Sequence, residues 1–187
     1  MSGGAPVTRG AMDAPDLRDG PRIDDEPGDQ QLLGATLHAE LLRRGMSLAT
    51  AESLTGGALG DLVSAAPGAS ETYLGGVVTY ATETKMRLLG VSPQTVERHG
   101  VVSEECAREM AAGVRSLVGS DWGVSTTGVA GPTEQEGKQV GTVFVAVAGP
   151  DGVACRGLHL DGERAEVRAR ACTAAAALVL ETLAHGD

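Results

Sequence analysis

The chain has 187 residues, 42% of them apolar, which is enough for one domain with a core and a tail. A net charge of −10 with only one Trp, one Phe and two Tyr argues against the basic grooves and stacking platforms that bind nucleic acids. No run reaches the roughly 20 apolar residues of a membrane helix, no hydrophobic signal core opens the chain, and Cys106, Cys155 and Cys172 lack Cys-x-x-Cys spacing, so a reducing cytoplasm is expected and neither disulfide framework nor zinc site is.

Residues 1–28 are rich in Gly, Pro, Asp and Arg without a periodic apolar face, and are expected to form a disordered acidic tail. Residues 29–187 are expected to form one domain. Leu32, Leu33, Leu37, Leu41 and Leu42 share a helical face, and Gly45 ends that helix. A β-prone run, Ser47 to Thr50, leads into Ala51-Glu52-Ser53-Leu54-Thr55-Gly56-Gly57 and then an apolar-periodic helix to about Ala66. Leu74 to Tyr80 reads as a strand and Ala81 to Leu89 as a helix. Ser92-Pro93 opens a short helix, and Ser103 caps a longer one to about Val118. Trp122 to Thr126 reads as a buried strand running into Thr127-Gly128-Val129-Ala130-Gly131-Pro132. After a polar loop, Val140 to Ala148 and Val153 to Leu160 flank Pro150-Asp151-Gly152 as a hairpin, and an Ala-rich helix runs from Glu163 to Ala184. The alternation predicts an α/β fold, a single-domain α/β/α sandwich with a mixed β-sheet.

The strand-to-helix turn at Ser53 stands where α/β proteins place chemistry, beyond the carboxyl end of a strand. Ser53 is a candidate nucleophile, with Thr55 and the amides of Gly56 and Gly57 as candidate anchors for an oxyanion or phosphate. The same residue types also make ordinary caps and turns, and spacing alone leaves both readings open. Gly131 to Lys138 fails as a phosphate loop, because its glycines are one residue too far apart and Gln139 stands where a hydroxyl is needed. A strict Gly-x-Ser-x-Gly elbow is also missing, and with it the grounds for a Ser-His-Asp triad. His38, His99, His159 and His185 lack metal-ligand spacing and are expected on the surface or in loops. A buried neutral lysine is another base for a serine. Only two of the fifteen basic residues are lysines, and Lys85 follows Tyr80 by five positions at a second strand-to-helix junction. Spacing alone nevertheless favours a solvated Lys85 and a structural Tyr80.

Taken together, Ala51-Glu52-Ser53-x-Thr55-Gly56-Gly57, Val78-Thr79-Tyr80-x4-Lys85, Leu89-Gly90-Val91, Gly100-x-Val102-Ser103, Gly128-x-Ala130-Gly131-Pro132 and Val140-Gly141-Thr142-Val143 resemble the CinA carboxy-terminal domain family. The match runs from about residue 31 to residue 184. The family includes nicotinamide mononucleotide deamidases, so the resemblance implies hydrolysis of nicotinamide mononucleotide to nicotinate mononucleotide and ammonia, without metal or other cofactor, in pyridine nucleotide salvage. It implies Ser53 as nucleophile, Lys85 as base, Tyr80 as their companion, and Thr127, Gly128, Ala130 and Gly131 as pocket lining. Gly162-Glu163-Arg164 resembles the segment that opens the family's last helix, which makes Arg164 a candidate for the substrate phosphate. A homodimer is implied, with neither nucleic acid nor membrane as a partner. A non-catalytic nucleotide-binding module and an amidase with another substrate are the competing expectations. Thr133-Glu134-Gln135-Glu136-Gly137 departs from the small, Gly-rich segment common at that point, which affects the shape of one pocket wall. Residues 1–28 are too short for the additional amino-terminal domain many members carry, so that domain's activities are not expected here.

Overall fold

A computed structural model describes residues 27–185 of the chain. Helix α1 is Pro27–Arg44, followed by β1 (Leu48–Glu52), α2 (Ala58–Ser64), a single 3-10 turn at Ala69–Glu71, and β2 (Tyr73–Val78). Then come α3 (Thr82–Leu89), α4 (Pro93–His99), α5 (Glu104–Val118), β3 (Trp122–Gly128), β4 (Thr142–Gly149), β5 (Gly152–His159) and α6 (Arg164–His185). The expected elements are all present, with shifted ends. Residues 27 and 28, assigned to the tail, begin α1, and the rest of the tail lies outside the described residues. Strand β2 stops at Val78, so Thr79 and Tyr80 belong to the loop that follows, whereas β3 continues two residues beyond Thr126.

The five strands form one mixed sheet in the order β2-β1-β3-β4-β5. Strand β1 is parallel to both β2 and β3, while β3 to β4 and β4 to β5 are antiparallel. All five residues of β1 are buried, as expected for a strand with parallel neighbours and both faces covered. Its two sides feed separate cores. Leu48 packs with Leu37 and Leu41 of α1, Leu59 of α2 and Val179 of α6, while Ala49 and Ala51 pack with Met110 and Val114 of α5 and Leu89 of α3. Helices α1, α2 and α6 therefore cover one face and α3, α4 and α5 the other.

Close packing depends on missing side chains at a few points. A Cβ on Gly113 of α5 would lie 2.0 Å from the Leu89 carbonyl oxygen, so only glycine lets α5 meet the end of α3. At the amino-terminal end of β3, Trp122 is 5% exposed, and its indole N–H donates to Met46 Sδ at 3.1 Å. His38 sits half-buried on α1 with its Nδ1 2.8 Å from the Thr72 hydroxyl, away from the loops and surface expected for it.

Candidate active site

The parallel register aligns the carboxyl ends of three strands. Glu52 pairs with Val78 on one side and Thr126 on the other, so the residues just beyond, Ser53, Thr79 and Thr127, meet at one end of the sheet. Backbone bonds continue the alignment: Ser53 N donates to Thr126 O at 3.0 Å, and Thr79 N to Glu52 O at 2.8 Å. The chain then turns through Gly56 and Gly57, with φ of +60° and +104°, into α2. A φ of +104° suits glycine alone.

Lys85 enters from α3. It is 1% exposed, contrary to the solvated residue favoured by spacing. Its Nζ donates to Ser53 Oγ at 3.0 Å, to the Thr79 carbonyl at 2.7 Å and to the Tyr80 carbonyl at 3.2 Å. Burial lowers the Lys85 pKa from its ordinary value, opposed by Cys106, were its thiol ionised, and by the Glu136 carboxylate. Cys106 is itself buried and pushed up to about 12, so its thiol stays protonated at neutral pH and Glu136 is the anion that acts. A neutral amine in this cage gives its two N–H groups to the two carbonyls. Its lone pair then faces the Ser53 hydroxyl, the arrangement of a nucleophile beside its base.

A cleft of about 260 Å³ opens over Ser53. Its walls include Leu54, Tyr80 and Arg164, with Thr127 and Gly128 from the end of β3 and Ala130 and Gly131 from the loop after it. The Thr127 hydroxyl donates to Val101 O at 2.6 Å and ties the end of β3 to the segment ahead of α5. Arg164, the first residue of α6, spans the mouth, with Nη1 donating to Gly131 O at 2.6 Å and Nη2 to Tyr80 Oη at 2.9 Å. Tyr80 thus helps in two separate ways. Its main-chain carbonyl orients the Lys85 amine, while its phenol, 60% exposed as a residue, meets Arg164 rather than the amine. Thr133, Glu134 and Gln135 supply a further wall, where Gln135 and Lys138 exchange two backbone hydrogen bonds to make a tight flap.

Three expected anchors are engaged elsewhere. Thr55 is fully buried, and its hydroxyl is 2.8 Å from that of Thr126. The Gly56 amide donates to Ser53 O at 3.2 Å, and the Gly57 amide to Glu52 Oε2 at 2.8 Å. None of the three lines the cleft; they build the turn instead. Sequence reasoning gave no role to Glu52 or Arg168, which hold that turn. The available signal for Glu52 was an acidic residue closing a buried strand just ahead of a helix preceded by glycine, which has no capping side chain. Among the described residues no cluster of three or more His, Cys, Asp or Glu is placed to hold a metal ion, and no helix is long and apolar enough to cross a membrane. A wider hollow of about 570 Å³ lies at the other end of the sheet, where Arg115 is spent on the carbonyls of Asp121 and Gly149.

Known proteins resemble this chain in sequence and fold. A CinA-like protein of Frankia casuarinae is 46% identical over 156 residues, covering 83% of this chain and 36% of the relative. One from Desulfosudis oleivorans is 45% identical over 155 residues, covering 80% of this chain and 37% of the relative. The chain therefore spans about a third of the length of these curated relatives. Among solved structures, the competence damage-inducible protein A of Klebsiella pneumoniae superposes with a TM-score of 0.82 at 35% identity, covering 84% of this chain and 99% of that one. A CinA superfamily protein of Escherichia coli gives 0.82 at 32% identity, covering 88% and 95%. With the family model of the CinA C-terminal domain matched across residues 30–183, the chain belongs to the CinA C-terminal domain family.

Proposed function

We propose that the protein is an amidohydrolase that converts nicotinamide mononucleotide and water to nicotinate mononucleotide and ammonia. The observation that carries the chemistry is the buried Lys85 Nζ at 3.0 Å from Ser53 Oγ; the substrate comes from the resemblance of the motifs. Ser53 Oγ attacks the carboxamide carbon while Lys85 accepts its proton. The tetrahedral intermediate collapses as Lys85 returns that proton to the nitrogen, which leaves as ammonia. Water then cleaves the Ser53 ester, again with Lys85 as base, and frees the carboxylate. Arg164 has N–H groups beyond the two it gives to Gly131 and Tyr80, and these suit the substrate phosphate at the mouth.

Ammonia release from nicotinamide mononucleotide, measured with a chelator present, tests the proposal. Wild type should turn over and Ser53→Ala should not. Loss of activity in neither or absence of activity in both, across a panel of pyridine nucleotides, sinks it; tight calorimetric binding without product would assign a binding module instead. The flap of Thr133, Glu134 and Gln135 favours one second reading, an amide substrate of different shape handled by the same pair. The same panel separates the two. We also take the working form to be a cytoplasmic homodimer. Leu74 and Val78, half-exposed on the edge strand β2, support the pairing, and light scattering tests it.

A further inference from the structure

The turn that carries Ser53 is gripped from both sides by charges that do not line the cleft. Glu52 is 2% exposed, and its carboxylate accepts from three backbone amides: Gly57 at 2.8 Å and Leu59 at 3.1 Å on Oε2, and Gly60 at 2.8 Å on Oε1. The start of α2, where an anion of the substrate was expected, is filled by the protein's own anion. On the other side Arg168 reaches from α6. Its Nε donates to Leu54 O at 3.1 Å and its Nη2 to Thr55 O at 2.6 Å. An anion therefore holds the amides after Ser53 and a cation holds the carbonyls after it.

Burying a carboxylate is costly unless its oxygens are fully hydrogen-bonded, and here three amides do that. A serine or aspartate at position 57 would cap a helix by the usual local route. Gly57 offers no side chain for capping, so the cap comes from β1 instead. That choice couples the first turn of α2 to the very strand that delivers Ser53.

We propose that Glu52 and Arg168 are positioning residues, which together fix the 53–57 turn so that Ser53 Oγ stays within hydrogen-bond reach of Lys85 Nζ. The proposal rests on Ser53 being the nucleophile. Neither residue meets the substrate; a misplacement of about 1 Å at the reacting atom is enough to cost on the order of 10²-fold in rate.

The test uses the full chain and a fluorophosphonate, a general serine-directed electrophile, so that it does not depend on the natural substrate. Labelling rates of Ser53 are compared in wild type, Ser53→Ala, Glu52→Gln, Arg168→Ala and Arg168→Lys, together with kcat and KM for nicotinamide mononucleotide and Tm. In Glu52→Gln an amide NH2 confronts a row of backbone donors. Labelling and kcat should fall about 10²-fold there and in Arg168→Ala, with KM nearly unchanged, and Arg168→Lys should recover part of the loss. If Glu52→Gln does not fold, the Arg168 pair carries the comparison. Variants with lowered Tm but wild-type labelling and kcat well below Tm would reduce both residues to structural caps and overturn the proposal. If wild type itself gives no labelling that Ser53→Ala removes, the nucleophile reading falls and takes this proposal with it.

Discussion

With Lys85 as the proposed base, its titration sets how the site should respond to pH. Only the neutral amine has a lone pair for Ser53, so the rate should rise with pH through the lowered Lys85 pKa and then level off. Lys85→Met should remove that limb and lower kcat by about 10²- to 10⁴-fold. Stability moves in the same direction. The unfolded lysine, at its ordinary 10.5, holds a proton more tightly than the folded one, so the buried amine costs stability below its lowered pKa, and the cost fades as pH rises toward 10.5. Glu136 opposes the lowering. Glu136→Gln retains an oxygen for the Val102 amide and should move the acid limb of the pH–rate profile to lower pH. A limb that stays in place in this variant would mean that the titrating base is not Lys85. Ser53 stood out in the sequence by its place at a strand-to-helix turn, whereas spacing alone favoured a solvated Lys85 and a structural Tyr80, and it was the resemblance of the linked motifs that grouped the three. The burial of Lys85 was harder to read: its i,i+4 spacing to the buried Leu89 pointed inward, but an isolated lysine in an eight-residue helix ordinarily points outward.

Helices and strands were legible where periodicity is strong and punctuation is clear. Ser92 and Ser103 accept hydrogen bonds from the Thr95 and Cys106 amides as their sequence positions suggest. The ends of β2 and β3 were not, since strand ends depend on partners and β-prone residues continue past them. The element that matters most for the site is the α3–α5 contact, because α3 carries Lys85. Gly113→Ala would place a methyl against the Leu89 carbonyl, and we expect a loss of about 1 to 3 kcal/mol in urea unfolding together with reduced activity, as α3 must move. Ser103→Ala should cost about 1 kcal/mol through its lost cap and leave activity intact below its Tm. A Gly113→Ala protein with full activity would show that α3 can shift without disturbing the base.

At the level of the whole molecule, alternating helices and strands announced an α/β sandwich, but the strand order was not readable, because pairing is set by contacts between segments far apart in sequence. That order brings three strand ends together, and it also separates the two ends of the sheet. Ser53 lies past the carboxyl end of β1, while Trp122 opens β3 at the opposite end, paired with Leu48. Trp122 is the chain's one tryptophan. Indole fluorescence consequently has a single emitter, sealed at the far end of the sheet's central strand beside a quenching-capable thioether. Selective excitation of that indole should report global unfolding as a clean red shift while remaining blind to a nucleotide entering the cleft, so one cuvette can follow denaturation at any ligand concentration without a binding signal superimposed on it.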